Sequence, residues 1–357
     1  MSSNFGQNIR LSVFGESHGE AIGCVIDGLP SGFKLDMDKI YFEMARRAPG
    51  KDKTATPRLE KDIPIILSGV LDGVTTGAPL AMEIKNTNTK SGDYNNLMSV
   101  PRPSHSDYPA YVKYNGNNDI RGGGHFSGRL TAPIVFAGAI AKQLLEQRGI
   151  TVGAHIMSIS DVRDACFDMA EVTAEQLKEV SRKAFAVIDD SVENKMRQTV
   201  ENARLSLDSV GGVIECAAVG LPVGVGANIF STVESKLASI LFGIPAVKGV
   251  EFGAGFDIAS MRGSQANDPY SVRDGRVFIE KNNNGGILGG MSSGAPIIVR
   301  AAIKPTPSIS QEQKSVNLQT MEEETLVIKG RHDPCIVPRA VPVVEAAVAF
   351  GLLDIMM

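Results

Sequence analysis

Residues 69–80 read GVLDGVTTGAPL, and residues 286–297 read GILGGMSSGAPI, so one pattern occurs twice in the chain. Glycines, small hydroxyl residues, the Ala-Pro pair and the aliphatic ends match at a constant offset. Closely spaced glycines between aliphatic and β-branched residues are typical of a tight hairpin. We therefore interpret the two stretches as equivalent hairpins in two related halves of the chain.

Two further pairs of segments repeat in the same order. Residues 24–30 read CVIDGLP, and they are echoed by VIE at 213–215 followed by GLP at 220–222. Residues 131–137 read TAPIVFA and resemble RAVPVVEA at 339–346. Each half thus runs from a strand into Gly-Leu-Pro, then to a helix, the hairpin and a proline-opened helix. This duplicated order predicts an α+β protein in which two pseudo-symmetric halves surround one core.

The bounds of the halves follow from the repeats and from one charged segment. We expect a single domain over residues 1–357, with internal halves at about 1–150 and 205–357. Residues 171–204 are predicted to form a helical excursion between the halves. Charged residues dominate there, and Thr173-Ala174-Glu175-Gln176 has the form of a helix-capping box.

Four more helices are predicted from apolar periodicity and from end signals. They run from Asp36 to Ala48, from Pro133 to Gln147, from Ser231 to Phe242 and from Pro342 to Leu353. The second and the fourth are apolar almost all round, so we expect both of them to be buried. A continuous aliphatic strand is expected from Ala295 to Ile303.

The composition restricts the classes of partner. Hydrophobic residues make up 43% and charged residues 21% of the 357 residues, an ordinary balance for a globular protein. The net charge of −4 argues against a nucleic-acid partner, because phosphate neutralisation requires a clustered basic surface. Neither a run of 18 apolar residues nor a signal-peptide pattern occurs, so we expect a cytoplasmic protein with no membrane partner.

The cysteines and histidines do not have the spacing of a metal site. Cys24, Cys166, Cys216 and Cys335 are far apart and form no C-x-x-C motif, so they are expected to be small buried side chains in a reducing compartment. No H-E-x-x-H motif occurs either. We therefore expect no metal.

A short motif near the N-terminus has two possible interpretations. Residues 14–20 read FGESHGE, in which GESHG fits the G-x-S-x-G pattern of serine hydrolases, with Ser17 as the nucleophile. That elbow needs a helix after the turn, whereas Ala21 to Asp27 reads as a second strand. The alternative is that His18 transfers protons at an anion site, which glycines allow the backbone to approach.

Polar residues gather in several loops, and loops carry function more often than core positions do. A glycine-rich loop that opens a helix, as at residues 121–131, directs backbone N–H groups toward an anion. Arginines bind phosphate or carboxylate in a two-pronged geometry. The clusters together predict a site for a small, multiply charged anion. They lie at 15–19, 46–58, 101–107, 121–129, 304–308 and 329–334.

These motifs together resemble the chorismate synthase family over nearly the whole chain. The matching patterns have the forms GESHG, R-R-x-P-G, P-R-P-x-H-x-D, S-G-R-x-T, K-G-V-E-F-G, R-G-S-Q, K-P-T-P-S and R-x-D-P followed by an E-A helix. In this order they occupy residues 15–19, 46–50, 101–107, 127–131, 248–253, 262–265, 304–308 and 331–334, with Glu345-Ala346 in the helix. Several long motifs in the right order make the resemblance specific.

The resemblance implies a carbon–oxygen lyase of the shikimate pathway of aromatic amino acid biosynthesis. Members eliminate phosphate and the C6 hydrogen of 5-enolpyruvylshikimate 3-phosphate in the anti-1,4 sense and so produce chorismate. They require reduced FMN (FMNH2), which some members regenerate with NADPH. The family fold is a large β-α-β sandwich, and its usual assembly is a homotetramer. Two alternatives stay open beside it: a serine hydrolase that uses Ser17, and a phosphate-ligand binder without catalysis.

The resemblance also assigns roles to particular residues. His18 protonates the departing phosphate, His105 protonates the reduced flavin, and Asp333 helps to take up the C6 proton. The substrate's phosphate and carboxylates are held by four arginines, namely Arg47, Arg102, Arg129 and Arg331. Arg47 and Lys53 are candidates for contacting NADPH.

A longer set of residues is implied to contact FMN. It consists of His125, Phe126, Ser127, Pro245, Ala246, Gly289, Lys304, Pro305, Thr306, Pro307, Ser308 and Arg331. The chain departs from the common family pattern at His125-Phe126, at Lys53 in place of an arginine, and at His332 in place of a serine. These departures bear on flavin affinity, because lysine keeps the charge of arginine without its planar fork.

Overall fold

The computed structural model describes residues 3–49, 62–87, 97–328 and 333–357. Their strands are β1 Asn4–Phe5, β2 Arg10–Gly15, β3 Ala21–Asp27, β4 Ile65–Ser68, β5 Val70–Leu71, β6 Val74–Thr75, β7 Leu80–Lys85, β8 Thr151–Ile159, β9 Val162–Arg163, β10 Gly212–Val219, β11 Val247–Phe252, β12 Tyr270–Arg273, β13 Arg276–Ile279, β14 Ile287–Leu288, β15 Met291–Ser292, β16 Ile297–Ile303, β17 Gln313–Asn317 and β18 Glu322–Leu326. Their α-helices are α1 Met37–Arg47, α2 Asp107–Lys113, α3 Thr131–Glu146, α4 Ala174–Arg182, α5 Glu193–Leu205, α6 Val233–Phe242, α7 Gly263–Ala266 and α8 Val337–Met356.

Two five-stranded antiparallel sheets have the same strand order. The first runs β1-β2-β3-β7-β4, and the second runs β9-β8-β10-β16-β11. The Gly-Leu-Pro segments follow the central strands β3 and β10, and the repeated hairpins are β5–β6 and β14–β15. Cys24 and Cys216 occupy the same place in these central strands, four residues before Gly-Leu-Pro, and both are fully buried. The predicted repeat therefore corresponds to a repeated topology.

Helices α3 and α8 lie between the two sheets. Helix α3 contacts β2, β3 and β7 on one side and α8 on the other, while α8 also packs on β8 and β10. Gly138 of α3 lies directly against Ala346 of α8, where a Cβ atom would collide with the Ala346 backbone and side chain. One continuous core thus contains side chains from both sheets and from the helices between them. The predicted α+β sandwich is confirmed.

The predicted helices are all present, with small shifts of their ends. Helix α1 is capped by the Asp36 side chain, and the capping box at Thr173 and Gln176 is formed. Helix α8 begins at Val337, and Pro342 lies inside it instead of opening it, because Pro338 already occupies its first turn. The strand from Ile297 to Ile303 begins slightly later than predicted.

Buried charges join the helix layer. Glu345 of α8 is fully buried, and its two oxygens accept hydrogen bonds from Arg46 of α1 and Lys142 of α3. Ala154 N of β8 also donates to it. The pair of cations lowers the pKa of Glu345 to about 2 against the opposing effect of burial. This network connects three helices and the second sheet at one point.

The charged helical segment lies in the chain between two paired strands of the second sheet. Strand β8 precedes it and β10 follows it, yet the two strands pair along their length. Helices α4 and α5 therefore occupy the connection between β8 and β10, whereas the equivalent connection between β2 and β3 is the short FGESHGE turn. The division of the chain into one domain with halves at about 1–150 and 205–357 stays a prediction.

Candidate active site

A cavity of about 1070 Å³ opens at the ends of helices α1, α3 and α8. Its walls include the turns before α3, the loop before α2, the β11 side of the second sheet and the loop after β16. Ligand pockets span about 300–1,000 Å³, so this cavity has room for more than one small ligand. Its lining combines apolar side chains, such as Ile134, Ile240, Ile244 and Val343, with most of the predicted site residues.

Two buried arginines of the cavity converge on one carboxylate. Asp62 accepts a hydrogen bond of 2.5 Å from Nη1 of Arg47 and another from Nη1 of Arg129. Arg47 also donates from Nε to Thr131 Oγ1 and from Nη2 to Gly128 O. All of these side chains are almost inaccessible to solvent. The sequence prediction missed Asp62, which stands in a run of charged residues with no periodic signal.

The net charge of this triad is one positive unit. Burial opposes ionisation of Asp62, but the two guanidinium groups outweigh it and hold the pKa of Asp62 below its usual range. Burial, together with the positive charges of Arg339 and Arg129, lowers the pKa of Arg47 to about 10. Arg47 therefore remains protonated at neutral pH, and the triad, with its net positive charge, attracts an anion.

A second buried group lies on the loop before α2. Arg102 donates from Nε and Nη2 to the two oxygens of Asp107, at 2.7 and 2.8 Å. Its Nη1 reaches Ser308 Oγ at 3.2 Å and so links this loop to the K-P-T-P-S segment. Asp107 also lies 2.6 Å from Nδ1 of His105.

The Asp107 contact fixes the state of His105. Nδ1 lies 2.6 Å from the acceptor Oδ1 of Asp107 and 3.1 Å from the donor Nη2 of Arg102. The shorter contact places the proton on Nδ1, because a carboxylate only accepts, and the bare Nε2 of the neutral ring lies near Gly123. Burial and the nearby Arg102 lower the pKa of His105 despite the opposing effect of Asp107. His105 is therefore neutral near pH 7 in the free protein, and a proton that it gains sits on Nε2.

Three successive glycines separate the two predicted catalytic histidines. Gly122, Gly123 and Gly124 all have positive φ angles. A Cβ on Gly122 would lie 2.7 Å from Nε2 of His18 and 2.8 Å from Oγ of Ser17. A Cβ on Gly123 would lie 3.4 Å from Nε2 of His105. The glycines therefore let the backbone pass close to both imidazoles.

The structure argues against the hydrolase hypothesis. The GESHG segment connects β2 to β3, so the helix that a nucleophile elbow requires is replaced by a strand. Ser17 is buried, and among the described residues its Oγ has no hydrogen-bond partner that would act as a base. Asn86 and Gly124 hold this segment through its backbone instead.

Most of the residues implied to contact FMN lie together. The cavity is lined by His125, Phe126, Ser127, Pro245, Ala246, Lys304, Thr306, Pro307 and Ser308. Pro305 lies within the same loop but is not among the described lining residues. Gly289 stands apart from them, in the β14–β15 turn. Arg331, His332 and Lys53 lie outside the described residues.

Asp333 has a cationic partner that the sequence prediction did not identify. Arg339, on the first turn of α8, lies 2.5 Å from Oδ2 of Asp333 through Nη1 and donates from Nε to Arg47 O at 3.1 Å. Both Asp333 and Arg339 line the cavity, as do Lys113 and Lys248. The contact between Arg339 and Arg47 could not be seen in the sequence, because α8 meets the end of α1 only in the folded chain.

Membrane-spanning helices and metal-binding clusters are both absent from the described parts of the chain. No helix there is both long and apolar enough to cross a bilayer. Within the same residues, no cluster of three or more His, Cys, Asp or Glu side chains has the arrangement of a metal site.

Comparisons with known proteins agree with the motifs. The chorismate synthase family profile matches residues 9–357. The chain is 49% identical over 349 residues to the chorismate synthase of Thermococcus kodakarensis, covering 98% of this chain and 96% of the relative. It is 44% identical over 365 residues to that of Lancefieldella parvula, with 99% and 96% covered. A crystal structure described as chorismate synthase superposes with a TM-score of 0.76 at 28% identity, covering 98% and 91%. The chain belongs to the chorismate synthase family.

Proposed function

We propose that this cavity converts 5-enolpyruvylshikimate 3-phosphate to chorismate and phosphate, the lyase reaction of its family in the shikimate pathway. The observation that carries the proposal is the convergence of three buried arginines, Arg47, Arg102 and Arg129, on one cavity. A substrate with a phosphate and two carboxylates needs several cations in fixed positions. Burial holds these arginine side chains in such positions.

The arginines bind and orient the substrate. Arg47 and Arg129 form a cationic centre around Asp62, and Arg102 lies in an ion pair with Asp107. Asp62 neutralises only part of the positive charge of the first group, so an anionic group of the substrate completes the balance there, whereas Asp107 balances the charge of Arg102. Arg331 is proposed as a further contact, on the strength of the family motif R-x-D-P alone.

Proton transfer is proposed for three residues. As phosphate departs with the electrons of the C3–O bond, His18 stabilises it by supplying a proton from its ring. The C6–H bond breaks in the same elimination, and Asp333 helps to take up the proton that is released. His105 holds a proton on Nε2 when an anion is bound, because negative charge near the ring raises its pKa.

The residues present fit reduced FMN. The apolar side chains of the lining suit an aromatic ring system, and Lys304, Ser127 and Ser308 supply polar groups for its phosphate and ring edge. Thr306 also lines the cavity, and its buried Oγ1 has no hydrogen-bond partner among the described residues, which fits a polar contact with a bound group. When bound, reduced FMN supplies the electron-rich partner that weakens the C–O bond.

Other properties of the family extend the proposal. NADPH is proposed as the reductant, with Arg47 and Lys53 as its candidate contacts. A homotetramer is supported by large apolar side chains that a monomer leaves in water, such as Phe230, Phe256 and Val272, each at least 75% exposed. A cytoplasmic location is proposed for an enzyme of this biosynthetic class.

An anaerobic assay tests the function. Purified protein with reduced FMN and 5-enolpyruvylshikimate 3-phosphate is expected to form chorismate and phosphate in equal amounts. His18→Ala should remove most of the activity and keep FMN binding, whereas Ser17→Ala should retain measurable turnover. Absence of both products from the wild-type protein would refute the proposal. Binding without turnover would favour a phosphate-ligand binder, and loss of a hydrolase activity in Ser17→Ala would favour the hydrolase.

A further inference from the structure

Asn86 makes contacts with two separate parts of the site. It directly follows β7, whose register with β3 pairs Lys85 with Ala21 and so brings Asn86 beside the FGESHGE turn. Its Nδ2 donates to Glu16 O at 3.0 Å and to Gly19 O at 2.9 Å. Its Oδ1 accepts from Nε of Arg129 at 3.1 Å.

These contacts leave only one orientation for the amide. Both carbonyls of the turn need a donor, and the Arg129 Nε–H needs an acceptor. A flipped amide would place its oxygen against two carbonyl oxygens and its NH2 group against a cation. Asn86 N also donates to Glu20 O at 3.1 Å, so the backbone of Asn86 is held at the same turn.

We propose that Asn86 is a positioning residue that couples the anion-binding arginines to the turn carrying His18. The connection runs from Arg47 through Asp62 to Arg129, and from Arg129 through Asn86 to the carbonyls on either side of Ser17-His18. The identity of the anion as substrate rests on the proposed function, whereas the coupling rests on the contacts alone.

The coupling has a specific chemical consequence. The Nε–H bond to Asn86 fixes the plane of the Arg129 guanidinium, and the two Nδ2–H bonds fix the turn in which His18 is held against Gly122. An anion that binds Arg129 thus meets the imidazole at a defined separation. Misplacement of a reacting group by about 1 Å can lower a rate about 100-fold, so this alignment matters for turnover.

The test uses Asn86→Ala, with Asn117→Ala as the matched control. Asn117 also donates its Nδ2 to two backbone carbonyls, those of Tyr114 and Asn115, at 3.1 Å each. Asn86→Ala is expected to lower kcat by about 10- to 100-fold and to weaken inorganic phosphate binding by roughly tenfold. It is also expected to shift the His18 ring resonances in NMR spectra of the flavin-free protein. Asn117→Ala should change none of the three.

A double-mutant cycle isolates the link to Arg129. Arg129→Lys removes the Nε–H donor, so Asn86→Ala in that background is expected to weaken phosphate binding no further while it still shifts His18. The coupling would be overturned if the double variant lost phosphate affinity by the product of the two single losses. Unchanged His18 resonances in Asn86→Ala would also overturn it. If Asn86→Ala does not fold, Asn86→Gln displaces the amide by one methylene and should give the same changes, smaller. A wild-type protein that forms no chorismate refutes the proposed function and leaves the phosphate and NMR measurements as tests of the coupling.

Discussion

Oδ1 of Asp107 lies 2.6 Å from Nδ1 of His105, while Arg102 holds both oxygens of the same carboxylate. Asp107 therefore sets the tautomer of His105. The positive charge of Arg102 limits how far Asp107 raises the pKa of the ring. Burial and Arg102 together keep the ring neutral in the free protein, with its lone pair on Nε2.

The pKa of His105 should respond in opposite directions to its two partners. Arg102→Gln is expected to raise it, because a nearby positive charge is removed, and Asp107→Asn is expected to lower it further. NMR titration of the ring resonances measures both shifts, and phosphate should raise the pKa in the wild type. Equal pKa values in the three proteins would contradict the assigned partners.

Asp62→Asn should destabilise the protein and increase its response to anions. Removing one partner of a buried ion pair typically costs about 3–5 kcal/mol, because the remaining charge is uncompensated. Phosphate would then supply the missing negative charge, so it should raise the melting temperature more in this variant than in the wild type. The exposed Asp27 provides the control substitution Asp27→Asn, for which neither effect is expected. An unchanged phosphate response in Asp62→Asn would contradict this electrostatic role.

Gly122→Ala is expected to abolish most activity through a collision as well as through backbone strain. The new Cβ would lie 2.5 Å from Cδ2 of His18, and the φ angle of 61° costs about 1–2 kcal/mol in addition. Gly149 has a φ angle of 77° with no atom near a Cβ, so Gly149→Ala carries the strain without the collision. Denaturant unfolding should show a loss of stability in both variants, larger in Gly122→Ala because of the collision, and only Gly122→Ala should lose kcat. Equal activity in the two variants would disprove the crowding of His18.

Stability should depend on pH through His155, which is buried away from the cavity. Its ring contacts Asp164 and Glu215 at 3.0 Å each, and these carboxylates raise its pKa although burial opposes the charge. The stabilisation from its charged form is complete below the unfolded pKa of about 6.5 and is lost as pH rises through the higher folded pKa. Urea unfolding from pH 6 to pH 9 should therefore show a decline that His155→Gln removes. A decline of the same size in His155→Gln would assign the pH dependence to other groups.

The repeats predicted the fold well because each match combines turn chemistry with hydrophobic pattern. Glycines at the hairpins and the strand into Gly-Leu-Pro specify local structure, and their fixed order specifies topology. The exception was Pro342, which read as a helix start and lies within α8. A proline signals a boundary only when no earlier residue has already begun the helix.

Site residues that occur in sequence motifs were predictable. Residues that only form hydrogen bonds or ion pairs with those motif residues were not. Arg47, Arg102, Arg129 and His105 were found by their loop clusters, and the structure brings them to one cavity. Asp62, Asn86 and Arg339 stand in segments that read as charged loops or ordinary helix, and only tertiary contacts bring them to these side chains. The predicted 101–107 cluster included Asp107, but the sequence did not show that its carboxylate accepts two hydrogen bonds from Arg102.

The two equivalent strand connections differ in their tolerance of extra chain. Residues 160–211 join β8 to β10 and already accommodate two helices without disturbing the pairing of these strands. Residues 16–20 join β2 to β3, and they are held between Asn86 and Gly124 by hydrogen bonds to their backbone. Insertions and fused tags therefore belong in the first of these connections. The repeated topology thus offers one connection in which the chain can grow and one in which even a single added residue would displace His18.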